Sequence, residues 1–270
     1  MPQPSRRRFL LATSALLTTG LTGRNSPAEG IDRRRLTGAA DRGRRFLASL
    51  YDPAVGLLPE FRGSNVFWLY HDNYLAAKVL DRTEPDMSRK VRDAIKGFGV
   101  TGSGKIEILF GEAKNPLPLR HHRLVEVKRV GEKIIKTELV GEKPNADWQE
   151  YTDLLFLATV AEAENERKEA VRHFEAGLAT WDGTGFKDKV NRRTGLYATY
   201  KLALALIAAA RLNRRPEMEE SIVNRLLAVQ REDGGFVTDY DAQGRPVGQA
   251  NVETTSLAVL ALDGLAKSSR

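Results

Sequence analysis

Apolar residues recur at helical spacing along most of the chain. In 31–50, Leu36, Ala39, Ala40, Phe46, Leu47 and Leu50 share one stripe with arginines outside it, the pattern of an amphipathic helix. Tyr51-Asp52-Pro53 stops it, and 57–61 reads as extended. Helices are predicted over 67–81, 86–98, 147–164, 166–180, 195–212, 216–229 and 251–266. The period changes between 102 and 144: residues 105–110 alternate as a strand would, and 124–130 and 133–140 are rich in Val, Ile and Thr. Gly131-Glu132 between the last two suits a type II′ hairpin turn. The reading is mainly α, about eight helices, with a small β insertion at 102–144.

Three loops share a phrase: Asp52-x-x-x-Gly56-Leu57, Asp182-x-x-Gly185-Phe186 and Asp233-x-Gly235-Phe236. After each, a helix opens with polar residues and turns apolar: HDNYLAAKVL from His71, TYKLALALIA from Thr199 and ETTSLAVLAL from Glu253. Such repetition implies helical hairpins that bury their stripes on one another. The more apolar second helices belong inside, so their polar first turns would gather at one mouth.

The run Leu226-Leu227-Ala228-Val229-Gln230 followed by Gly234-x-Phe236 resembles the Q-x-x-x-G-x-W repeat of triterpene cyclases, with Phe in place of Trp. Protein prenyltransferases share a similar Q…GGF phrase. Asn251-Val252-Glu253-Thr254-Thr255-Ser256 looks like the N-x-x-E-x-S element of six-hairpin glycosidases, such as unsaturated glucuronyl and rhamnogalacturonyl hydrolases. The resemblance covers the last 90 or so residues best and implies an α/α toroid, here incomplete. The D-x-D-D motif of cyclases is absent, and the prenyltransferase zinc set needs a cysteine that the chain lacks.

Composition narrows the picture further. With no cysteine, disulfides, thiolate nucleophiles and iron–sulfur clusters are excluded. Ser5-Arg6-Arg7-Arg8-Phe9-Leu10-Leu11, ahead of a short apolar run, resembles a twin-arginine export signal over 1–27, leaving 28–270 as the folded domain. The expected location is periplasmic or extracellular, with a membrane anchor if the signal stays uncleaved. The formal charge of +7 owes four arginines to that segment; without them 38 basic residues face 35 acidic ones. Nothing in that balance favours nucleic acid.

The chemistry then rests on acids and aromatics at the expected mouth. Asp72, Glu253, Asp188 and Asp239 are candidate catalytic residues, since two facing carboxylates can cleave a glycosidic bond. Glu60, Trp68, Tyr74, Tyr197, Tyr200, Tyr240 and Asn251 are candidate substrate contacts. The competing role for Asp72, Asn251 and Glu253 is helix capping, because they sit at helix starts. No cofactor is expected. No metal is expected either, the histidines lacking further ligands at workable spacing. The expected partners are a carbohydrate or other small molecule and the export machinery, with membrane contact only through the signal. The expected function is an exported glycoside hydrolase or lyase; the alternatives are a non-catalytic binding or scaffold protein and a binder of isoprenoid-like ligands.

Overall fold

A computed structural model describes residues 32–113 and 120–268. The expected export segment lies outside them. Asp32 accepts the N–H of Arg34 and starts α1, Arg33–Ser49, which buries Leu36, Ala39, Ala40, Phe46 and Leu47. Past a short strand β1, Val66–Trp68, come α2, Leu75–Leu80, and α3, Pro85–Gly97. The hairpin of β2, Arg120–Val130, and β3, Lys133–Pro144, follows. Helices α4, Thr152–Glu162, and α5, Arg167–Leu178, come next, then the short α6, Lys189–Thr194. A two-residue strand β4, Tyr197–Ala198, leads into α7, Thr199–Arg211, which is followed by α8, Glu219–Ala228. Strands β5, Val237–Tyr240, and β6, Pro246–Ala250, precede the last described helix, α9, Val252–Ser268.

The protein is mainly α, with two three-stranded sheets among the described residues. Helices α4, α7, α9 and α2 are neighbours in that order. Behind them α5 packs on α4 and α7, α8 on α7, α1 on α9 and α2, and α3 on α2. The inner helices α7 and α9 are buried almost all round, as their apolar sequences require. At the α1–α9 crossing a Cβ on Gly43 would lie 2.6 Å from Val259 Cγ2, so glycine sets how closely these helices approach.

The three related loops share one geometry. Asp52, Asp182 and Asp233 each accept the backbone N–H two residues on, at Ala54, Thr184 and Gly235. Each loop ends on a buried apolar residue: Leu57, Phe186 or Phe236. Gln230 fastens the last one, donating to the carbonyls of Gly234 and of Ala39 on α1.

Several elements differ from the sequence reading. Residues 105–110 are not a strand: Ile106–Phe110 winds as a 3₁₀ turn, because Glu107 accepts hydrogen bonds from the N–H and hydroxyl of Ser103. Gly111, at φ 69°, ends that turn. The helix expected over 67–81 divides into β1, a π-helical turn Leu69–Tyr74, and α2. Asn73 holds this division, accepting from Leu58 N–H and donating to the Leu58 and Trp68 carbonyls. The arm before α9 is a hairpin, β5–β6, completed by β4 on the other side of β5. The long hairpin forms as expected, and Gly131, at φ 61°, makes its turn. The same hairpin also joins the body: β3 pairs in parallel with β1, Val66 opposite Ile134.

Candidate active site

The first turns of the inner helices meet at one cleft of about 140 Å³. Asp153 and Leu157 reach it from α4, Tyr200 and Leu204 from α7, and Glu253 and Leu257 from α9. Each helix thus gives a polar residue and, one turn on, a leucine on the same face. His71, Lys105 and Ile106 close the lining. Leucines and Ile106 supply an apolar wall, while the titratable groups gather at the helix starts.

Asp72 follows His71 on the π-helical turn and is 2% exposed. Its Oδ2 has no hydrogen-bond partner. Burial pushes its carboxyl well above the ordinary value, and the negative charges of Glu253 and Glu60 push the same way. Glu60 is raised too, by burial first and then by Glu253, with Trp68 and Lys136 opposing. The backbone carbonyl of Glu60 accepts the N–H of Val252, which ties this segment to the start of α9.

Asn251 is the residue that caps α9, its Oδ1 accepting the N–H of Thr254. Glu253 therefore keeps its carboxylate in the cleft, where Nδ1 of His71 lies 3.8 Å from its Oε1. Tyr200 stands beside it, its phenol raised well above the ordinary value by burial and by the charges of Asp153, Glu253 and Asp188.

The remaining candidates are placed elsewhere. Asp188 is a structural hub: its carboxylate accepts the N–H groups of Val190, Asn191 and Thr152 and pairs with buried Lys201. Asp239 sits on β5 opposite Ala198, and burial raises its carboxyl against the pull of Thr238 and Lys201. Tyr197 donates to Asp182 at 2.6 Å and stacks on Tyr240, whose hydroxyl donates to the Thr184 carbonyl. Both brace loop 182–186 rather than line the cleft. Tyr74 turns away, its ring against Phe110 and its hydroxyl on Glu112. Trp68 stays with the site, half-buried, under Lys136 and stacked on the His71 ring.

Five groups at the site escaped the sequence reading: His71, Lys105, His122, Glu138 and Asp153. Oε2 of Glu138 lies 3.0 Å from Nε2 of His71 and 2.7 Å from Nδ1 of His122, ion-pair contacts without the alignment of directed hydrogen bonds. Burial would raise the Glu138 carboxyl, but the two histidines, with Lys105, hold it well below the carboxylate range. Lys105 and Asp153 complete the additions. One signal was available: Lys136 and Glu138 are two apart in a strand and so share a face. Among the described residues no group of three or more His, Asp or Glu is arranged to hold a metal ion. No protein-family model matches the chain, and no curated protein is significantly similar to it.

Proposed function

We propose that the chain is an exported carbohydrate-active enzyme, a glycoside hydrolase or lyase, with its site at the mouth of an incomplete α/α toroid. The observation that carries this reading is the division of labour at α9: Asn251 caps the helix, and Glu253 is left to the cleft. Asp72, buried next to His71 and outside the cleft lining, has a raised affinity for its proton and an uncommitted oxygen, and would reach the cleft through one water. In hydrolysis the Asp72 carboxyl would give its proton to the departing glycosidic oxygen as the bond from that oxygen to C1 breaks. Glu253 would either take a proton from the water that attacks C1 or attack C1 itself. In elimination, Glu253 would remove the proton next to an acidifying group while Asp72 protonates the leaving oxygen. Trp68, partly exposed beside His71, offers an indole edge to a sugar.

The test is a panel of oligosaccharides offered to the mature chain, read by thermal shift and by product release. Asp72→Asn and Glu253→Gln should each remove turnover while leaving the fold intact. Turnover that survives both substitutions would end the proposal.

A second reading has its own observation. At the other end of α7 and α9, Leu109, Phe110, Leu206, Ile207, Leu260 and Ala261 line an apolar groove of about 410 Å³ bordered by Arg211. Such a groove suits an isoprenoid-like chain. Stabilisation of the fold by farnesol, with none by any sugar, would favour it.

A further inference from the structure

The long hairpin is more than an outer decoration. Its strand β3 is fixed to the body by parallel pairing with β1, and β1 runs directly into the π-helical turn that carries His71. On β3, Ile135 and Thr137 are buried, while Lys136 and Glu138 alternate with them on the opposite face. From that face Lys136 covers the Trp68 ring at 5.6 Å, and Glu138 meets His71. The His71 ring is therefore confined on two sides. Trp68 stacks on it with ring centres 6.4 Å apart, and the Glu138 carboxylate stands 3.0 Å from Nε2.

The third direction is the cleft, where Nδ1 faces Oε1 of Glu253 across 3.8 Å. That gap is too wide for a direct hydrogen bond, yet it lets both groups address one oxygen placed between them. Behind Glu138 stands His122, from the neighbouring strand, against the same Oε2. Nε2 of His71, Nδ1 of His122 and Oε2 of Glu138 are buried together as ion-pair contacts, and Oδ2 of Asp72 is buried with no hydrogen-bond partner. An unpaired buried oxygen costs stability, and a functional site is where such a cost is retained.

We propose that Glu138, carried by the hairpin and backed by His122, is a positioning residue that holds His71 in the cleft opposite Glu253, making His71 a third acid–base group of the site. The inference rests on the acid–base reading of the cleft, but its test does not require a substrate.

The chain has four histidines, few enough for each ring to be followed by ¹⁵N NMR in the labelled full chain. Glu138→Gln should shift the ring nitrogens of both His71 and His122, whereas Glu253→Gln should shift His71 and leave His122 in place. A His71 signal unmoved by Glu138→Gln overturns the proposal. So does a His122 signal that follows Glu253→Gln as strongly as His71 does. Should Glu138→Gln fail to fold, the wild-type chain decides through ¹³C detection of its carboxyls. Glu138 should remain ionised at acidities where the exposed glutamates are protonated, and titration together with them refutes the coupling. An inactive oligosaccharide panel would count against the enzymatic reading alone, and an unmoved His71 against the positioning alone. With turnover in hand, His71→Asn should lower kcat by about 10²-fold or more. Glu138→Gln should change kcat and its pH profile while leaving KM close to wild type.

Discussion

Asp72 and Glu138 are both carboxylates near the cleft, and the structure gives them opposite acid–base behaviour. Asp72 binds its proton more tightly when folded than its ordinary value of 3.8 allows. Between that value and the folded one, the native chain holds more protons than the unfolded chain, so stability falls as pH rises. Asp72→Asn removes this dependence. Its melting temperature should gain on the wild type as pH is raised from about 4 to 8, and parallel melting curves would refute the burial account. Glu138 has the reverse sign. Its contribution is complete above the ordinary value of 4.5 and is lost as pH falls through the depressed folded value. Glu138→Gln should therefore melt lower than the wild type near neutrality, and the difference should close on acidification. Asp72, Glu253, Trp68 and Tyr200 were legible as site residues because each stands near the start of a predicted inner helix, and Glu60 because it belongs to the first repeat. Glu138 and His122 were not. Their role depends on β3 pairing with β1 across more than sixty residues of chain, and local pattern says nothing about such pairing.

At the scale of elements, the joint between α4, α6 and α7 depends on one side chain. Asp188 caps α6, holds the first N–H of α4 and neutralises Lys201 of α7, whose side chain is 2% exposed. Removing one partner of a buried pair leaves an uncompensated charge. Asp188→Ala should cost about 3–5 kcal/mol in denaturant unfolding, and replacing Lys201 by Met in the same chain should recover part of that. A loss below about 1 kcal/mol, the range of exposed pairs, would show that the pair is not structural. The sequence marked the Asp-x-x-Gly loops correctly, because an aspartate that folds back onto its own backbone is a local device. It misread 105–110, where alternating Ile and Leu suited a strand until the Glu107 carboxylate, turned back onto Ser103, closed a 3₁₀ turn. Nor did it find α6, six residues long and too short to show a helical period.

For the whole molecule, the order α4, α7, α9, α2 brings the last described helix against α2, so His71 and Glu253 reach one cleft. Export of such a body by the twin-arginine route would require it to be folded beforehand. Replacing Arg6 and Arg7 together by Lys should trap the chain in the cytoplasm, as read by cell fractionation; unaffected export would remove the signal assignment. The wide turn at Leu69–Tyr74 bears on the entire design, for it spends one residue more than ordinary winding would. Excising a single residue there would let the helix coil regularly, at the price of rotating everything before the cut by about 100° relative to α2. Such a shortened chain should turn His71 away from Glu253 and, by breaking the hydrogen bonds that Asn73 makes to Leu58 and Trp68, melt earlier than its parent. The irregular turn thus sets the aim of the site and the seating of the segment before it together.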